Sequence, residues 1–304
     1  MKLSWLQRQW IAIDYSVLLP LLARLPFSWG RRLAGWRGLL YAKLQRDWRQ
    51  FSFDDHALYA RTQQTIGQLL PEADAASLTQ AVARRYQMQS IEEWEAACMI
   101  IGRDISSWPV IYEGLEDILA RLQDTPRIVF LTAHFGSSIL GTALLQRLGV
   151  PILGMSSNVV DDPLVHSRIS RFYRQKYTAM GRYLNGGQIL DRERNASKFV
   201  RFLQRGGAVV VVGDLPPDHR EAPVIRPFLG AFRSFAPGAV RLAKIGRAPL
   251  VAFVCEFYDG AHHLRFSVPG EEPYAFIDQA IRRCPSSWWA ADLLPLLPEA
   301  PPLT

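Results

Sequence analysis

From about Asp117 onward, short runs of β-branched and apolar residues alternate with longer amphipathic stretches, and this alternation limits the fold more than any other feature. RIVFLT (Arg127 to Thr132), PILGM (Pro151 to Met155), AVVVVG (Ala208 to Gly213), PLVAFVC (Pro249 to Cys255) and HLRFSV (His263 to Val268) read as strands. SILGTALLQRLG (Ser138 to Gly149), NASKFVRFLQRGG (Asn195 to Gly207) and APGAVRLAKIGRA (Ala236 to Ala248) read as helices, each with a glycine near its C-terminal end. Strands that alternate with helices predict an α/β sheet with helices on its faces. Such sheets gather functional residues in the loops beyond the strand ends. The first hundred residues show no strand-like alternation and read as helical. The expectation is a helical N-terminal region over 1–110 and an α/β domain over 111–304, built as one continuous unit.

Hydrophobic residues make up 49% of the chain, enough to exclude a disordered protein. The formal charge of +7 favours anionic partners such as acidic lipid or an acidic carrier protein. It would also suit nucleic acid, but no recognition motif for it is present and none is expected as a partner. Cys98, Cys255 and Cys284 lie far apart, which argues against a disulfide framework or thiolate metal site and for a reducing compartment. His262 and His263 are adjacent and no His/Asp/Glu set has ligand spacing, so no metal is expected. Neither a Gly-x-Gly-x-x-Gly turn nor a P-loop occurs, and no cofactor is expected. No clear signal peptide opens the sequence. The apolar stretch Ile11 to Leu25 contains Asp14 and Pro20 and is shorter than the roughly 20 residues of a spanning helix.

Arg24, Arg31, Arg32, Arg37, Lys43, Arg46 and Arg49 crowd one segment against a single acid, Asp47. Phe27, Trp29, Trp36, Tyr41 and Trp48 are interleaved with them. That mixture predicts a helix lying on an anionic membrane surface. The plainer alternative is an amphipathic helix packed on the core with its arginines solvated.

His134 follows a strand and precedes a glycine turn, a position that exposes a base. A helix beginning near Ser137 and Ser138 would offer the N–H groups of Gly136, Ser137 and Ser138 to a developing oxyanion. The same helix end should lower the histidine's pKa and keep its ring neutral. Ser137 and Ser138 lack the Gly-x-Ser-x-Gly elbow of a serine nucleophile. A second candidate is GDLPPDHREAPVIRPFLG (Gly213 to Gly230), with Asp214, Asp218, His219, Arg220 and Arg226 on a proline-stiffened backbone. Arg226 and Arg233 are candidates for holding a phosphate or carboxylate.

Taken in order, several segments resemble the bacterial lipid A biosynthesis lauroyl/myristoyl acyltransferases, within the wider lysophospholipid acyltransferase-like group. YEGLEDILARLQDTPRIVFLTAHFG is similar to the segment leading into that family's catalytic histidine, and RGGAVVVVGDLPPD to its Asp-x-x-Pro-Pro strand and loop. RPFLGAFRSFAPGAVRLAKIGRAPLVAFV resembles the Pro-Phe-x-Gly block and the helix after it, and AIRRCPSSWW the closing Pro-x-x-Trp helix end. The resemblance implies a glycerol-3-phosphate acyltransferase-like mixed sheet flanked by helices. It implies acyl transfer from an acyl-carrier-protein or coenzyme A thioester to a hydroxyl or amine, at the cytoplasmic face of the bacterial inner membrane. It also makes His134 the general base. The family motif is His-x-x-x-x-Glu or His-x-x-x-x-Asp, and here Ile139 stands at the acid position. Asp161, Asp162 and Asp214 are the candidates to replace that acid from another loop. The competing reading is a catalytically inactive relative that keeps the fold to bind lipid, carrier protein or a partner subunit.

Overall fold

Every residue of β2 (Ile128–Thr132) and nearly every residue of β5 (Ala208–Val212) is buried, because both runs are apolar or β-branched throughout. In a computed structural model that describes residues 5–157, 161–219 and 221–301, they pair in parallel at the centre of a mixed sheet. The other strands are β1 (Val110–Glu113), β3 (Ile152–Ser156), β4 (Gln188–Asp191), β8 (Leu250–Tyr258) and β9 (Ala261–Phe266). The seven strands run in the order β1-β9-β8-β2-β5-β3-β4. All neighbours are parallel except β8 and β9, which form a hairpin. Asp259 and Gly260 turn that hairpin, both at positive φ, the signature of a two-residue turn suited to strand twist. β6 (Val224–Phe228) and β7 (Ala231–Phe235) make a separate two-stranded ribbon.

Alternate side chains of the central strands feed two cores. Val129, Leu131, Val209 and Val211 pack with Phe199 and Leu203 of α10 (Arg192–Gln204), Leu242 of α11 (Gly238–Gly246) and Ile277 of α12 (Pro273–Arg283). Ile128, Phe130 and Phe253 face the other way, towards Leu140 of α8 (Ser138–Leu144), Ile118 of α7 (Leu115–Asp124) and Phe172 of α9 (Ser167–Met180). That second core continues into the N-terminal helices. It includes Ile11 of α1 (Trp5–Ile13), Leu22 of α2 (Leu19–Arg24), Ala34 of α3 (Phe27–Lys43) and Trp94 of α6 (Ala75–Ile100). Two further helices, α4 (Trp48–Phe53) and α5 (Leu58–Leu69), complete the N-terminal region. The mixed α/β fold with a helical N-terminal region is thus the one expected. The strands differ at their ends: β8 continues past Cys255 to Tyr258, and β9 begins at Ala261 rather than His263.

α3 lies directly on α6, and a glycine permits the approach. A Cβ at Gly38 would stand 2.5 Å from the Tyr86 carbonyl oxygen. Along this contact α6 carries Glu92, Glu93 and Glu95 into the interior. Buried carboxylates need partners, and the arginines of the N-terminal segment provide them. Arg37 bonds Glu93 at 2.7 Å and Asp14 at 2.8 and 2.5 Å. A π-helical turn, Asp14–Leu18, between α1 and α2 carries that aspartate. Arg31 bonds Glu95 at 2.9 Å. Arg49 and the fully buried Arg85 hold Asp47 and Asp292.

These pairs correct the expectation of one lipid-facing set of cations. Arg31, Arg37 and Arg49 turn inward, whereas Arg24, Arg32, Lys43 and Arg46 are exposed. Among the described residues no helix is long and apolar enough to cross a membrane. Replacing Arg37 with Met should cost about 3–5 kcal/mol in urea unfolding, because Asp14 and Glu93 stay buried without their cation. Arg32→Gln, on the same helix but exposed, should cost no more than about 0.5 kcal/mol. Equal losses for the two variants would count against the internal network.

Candidate functional site

Parallel pairing aligns Thr132 of β2 with Val212 of β5. Two residues beyond each partner come His134 and Asp214, so equal offsets from one register carry both side chains to the same end of the sheet. Asp214 Oδ1 accepts from His134 Nδ1 at 2.8 Å, and Oδ2 accepts from the His134 backbone N–H at 2.9 Å. The same Oδ2 accepts from the Trp288 indole N–H at 2.8 Å. Asp214 is therefore the acid partner among the three sequence candidates. Asp161 lies at the surface, paired with Arg174 at 3.0 Å. Asp162 caps the Leu164 N–H at 2.8 Å. Ile139 is half-buried and packs against the core.

The His134 side chain keeps 23% of its exposure, while that of Asp214 keeps 1%. Burial works against the charged imidazole, but the Asp214 carboxylate outweighs it through charge and hydrogen bond, and the His134 pKa is raised above the ordinary 6.5. This corrects the expectation that a helix end would lower it: a full charge at 2.8 Å dominates a partial one. Asp214 moves down in turn. Burial opposes its charge, and the His134 cation with the His134 and Trp288 hydrogen bonds overcomes that. Because Nδ1 donates to Asp214, Nε2 is the basic nitrogen.

The loop after His134 is braced on all sides. The Gly136 N–H donates to the Ser287 carbonyl at 2.9 Å and the Ser137 N–H to the Cys255 carbonyl at 2.8 Å. Gly136 sits at φ +57°, and a Cβ there would stand 2.1 Å from the Cys255 oxygen, so no other residue fits. The Ser137 hydroxyl donates to Glu95 at 2.8 Å, and the Ser138 hydroxyl to Glu92 at 2.6 Å. Of the three N–H groups expected at an oxyanion site, those of Gly136 and Ser137 are thus committed to carbonyls, and only that of Ser138 takes no acceptor among the described residues.

Arg226 and Arg233 do not converge on this centre. Arg226 pairs with Glu272 at 3.1 Å. Arg233 is buried and donates to the carbonyls of Leu294 and Leu297 at 3.3 and 3.1 Å and to Glu299 at 3.2 Å, which anchors the C-terminal segment. Asp218 and His219 form an exposed pair at 2.9 Å, and Arg220 lies outside the described residues.

Sequence reading missed four residues that complete the site. Trp288 is fully buried and donates to Asp214. Trp289 sets its ring edge-on to His134, centroids 4.5 Å apart, and its backbone N–H donates to the His134 carbonyl at 3.0 Å. Its indole N–H is buried without a partner among the described residues. A small pocket, partly open to solvent, lies beside it, lined by Glu92, Glu93, Tyr173, Lys176 and Trp289 among others. A second shares Gln89 and Glu93 with the first and reaches Tyr15, Tyr41 and Trp48 of the N-terminal region. The tandem tryptophans lay within the segment quoted for its resemblance. Glu92 and Lys176 gave no signal, because charged residues on amphipathic helices ordinarily face solvent.

An imidazole backed by a buried carboxylate at the strand ends, beside a cavity, is equipped to take a proton from a nucleophile. The family model for bacterial lipid A biosynthesis acyltransferases matches residues 3–274, and the chain belongs to that family. No curated protein matches the chain.

The pair makes a prediction that needs no substrate. In an NMR titration His134 should show a pKa above 6.5, and Asp214→Asn should bring it below that value, because burial and the Arg49 charge are then opposed only by the weaker Glu92 charge. A wild-type His134 that titrates at or below 6.5 would contradict the geometry.

Proposed function

We propose that the chain transfers a fatty or related acyl group from an acyl-carrier-protein or coenzyme A thioester to a hydroxyl or amine acceptor. The carrying observation is the 2.8 Å contact of His134 Nδ1 with buried Asp214 in a member of an acyltransferase family. His134 Nε2 accepts the proton of the acceptor hydroxyl or amine as its oxygen or nitrogen attacks the thioester carbonyl. A tetrahedral intermediate forms, the carbon–sulfur bond breaks, and the imidazolium returns the proton to the departing thiolate. Asp214 holds the ring and stabilises its cation. The unpartnered indole N–H of Trp289 and the N–H of Ser138 are the donors available to the oxyanion. The reading as an inactive relative is weakened, since its main ground was the missing acid and Asp214 fills that role from β5.

The test is turnover of a thioester panel on coenzyme A and on carrier protein, against lipid and amine acceptors. His134→Ala should abolish transfer. Trp289→Phe keeps the ring and removes the donor, and should lower kcat by about 100-fold with little change in KM. In the wild type kcat/KM should rise with pH through the His134 pKa, above 6.5, because the neutral ring is the active form. Full activity in a folded His134→Ala variant would overturn the proposal.

The reading places the protein at an anionic membrane, the cytoplasmic face of the bacterial inner membrane. Trp10, Ile13, Val17 and Leu21 are exposed at helical spacing across α1, the π-helical turn and α2, as are Trp29, Trp36 and Leu40 on α3 and Leu44 just after it. Arg24, Arg32, Lys43 and Arg46 are exposed in the same region. Rings at headgroup depth with cations beside them suit such a surface, each cation contributing about 1 kcal/mol. Binding to anionic vesicles should weaken as salt rises. A Trp29→Ser, Trp36→Ser variant should bind less tightly while melting as the wild type does. Equal binding to neutral and anionic vesicles would remove the electrostatic part.

A further inference from the structure

Glu92 is buried beside the site, and the His134–Asp214 pair makes no use of it. Its Oε1 accepts the Ser138 hydroxyl at 2.6 Å and the Ile139 N–H at 3.2 Å. The carboxylate is therefore pinned at the residue where the family motif carries its acid. Both protein donors go to Oε1, and Oε2 takes none among the described residues. Glu92 also lines the cavity that Trp289 shares, and Trp289 lies against the His134 ring.

Lys176 lines the same cavity and is 7% exposed. Its ammonium stands 4.0 Å from the centroid of the Tyr173 ring and makes no hydrogen bond or ion pair among the described residues. A buried cation and a buried carboxylate ordinarily close to contact or find other partners. Here they face one cavity without touching, and each keeps capacity for a third molecule.

Resting on the acyl-transfer reading above, we infer that Glu92 is a further catalytic residue: its Oε2 accepts a second donor of the acceptor, the other N–H of an amine or a hydroxyl next to the attacking one, and so holds the attacking atom against His134 Nε2, while Lys176 keeps the carboxylate ionised. The acceptor proton still passes to Nε2, so the balance of the transfer is unchanged. The titratable groups around Glu92 are Lys176, Tyr173 and Tyr177 from α9, His134 from the loop after β2, Cys255 from β8, and Glu93 on its own helix. Burial pushes the Glu92 carboxyl up to about 7, opposed by the Lys176 charge and the Ser138 hydrogen bond. Acceptor binding should accordingly switch on as pH rises through that value.

Glu92→Gln isolates the claim. The amide oxygen keeps both hydrogen bonds from Ser138 and Ile139, and the group facing the cavity changes from acceptor to donor. Dodecanoyl-coenzyme A and the same chain on carrier protein serve as donors. Two products are followed together, hydrolysis to the free acid and transfer to ethanolamine or glycerol. Glu92→Gln should cut the transfer-to-hydrolysis ratio by at least about tenfold, since water needs no holding group. His134 serves both products and its titration cancels in the ratio. With glycerol, whose hydroxyls do not titrate in this range as an amine does, the wild-type ratio should therefore rise with pH through about 7, and Lys176→Met should move that rise to higher pH. An unchanged ratio in folded Glu92→Gln, or an unmoved pH limb in Lys176→Met, overturns the inference and leaves the acyl-transfer reading intact. The Lys176→Met limb decides alone if Glu92→Gln fails to fold. Full hydrolysis and transfer in His134→Ala, or no turnover of any donor by the wild type, overturns both.

Discussion

Asp214 is the point through which the site is held together. Its two oxygens receive three donors, the His134 ring, the His134 backbone and the Trp288 indole, and its side chain is 1% exposed. A carboxylate buried so deeply is tolerated only when its hydrogen-bonding capacity is met. Each donor belongs to a different requirement of the fold. The backbone bond fixes the exit of β2, the ring bond fixes the tautomer of the base, and the indole bond fastens the C-terminal segment over both. Trp289 and Ser287 then reach the same loop through backbone bonds to His134 and Gly136. The base is positioned by sheet register and oriented by a closing segment from the far end of the chain.

The N-terminal helices are part of the same construction. α6 delivers three carboxylates into the interior, and each meets a different need. Glu93 is neutralised by Arg37, with Tyr15 adding a hydrogen bond at 2.8 Å. Glu95 takes Arg31, the Ser137 hydroxyl and His262. Glu92 takes only the Ser138 hydroxyl and the Ile139 N–H. Two of the three thus have an arginine in contact, although Glu95 Oε2 stays buried without a partner among the described residues, and the third has no cation in contact. Buried polar networks fix relative position firmly when satisfied and cost most where they are not. That contrast separates a bracing role for Glu93 and Glu95 from a role in chemistry for Glu92.

Much of the sheet was legible because its strands are wholly apolar: AVVVVG and RIVFLT admit few other readings once their length is counted. β1 and β4 escaped notice because they are short and only half-buried, so no hydrophobic run marks them. The Asp259–Gly260 turn was a readable hairpin signal that a strand-by-strand reading passed over. His134 was legible as a histidine exposed at a strand end, and Asp214 as one of three candidates to contact it. Choosing among the three needed the pairing of β2 with β5, which no local pattern encodes. Arg226 and Arg233 misled because charge was taken for a binding role, whereas both are spent on internal partners. The arginines of the N-terminal segment divided for the same reason: composition counts cations but does not say which of them face the carboxylates of a helix 56 to 64 residues later.

The substitution at Ile139 follows from this division of labour. An acid at that position would enter a wall that already holds Glu92, bonded to the Ile139 N–H itself. Two carboxylates sharing a buried site disfavour each other's charge, and one would be forced to take a proton. With Asp214 already orienting the imidazole from β5, a second acid on the His134 loop would add repulsion and little else. An apolar residue there packs against the core instead. It leaves Glu92 Oε1 to the Ser138 hydroxyl and the Ile139 N–H, and Oε2 with no protein donor among the described residues.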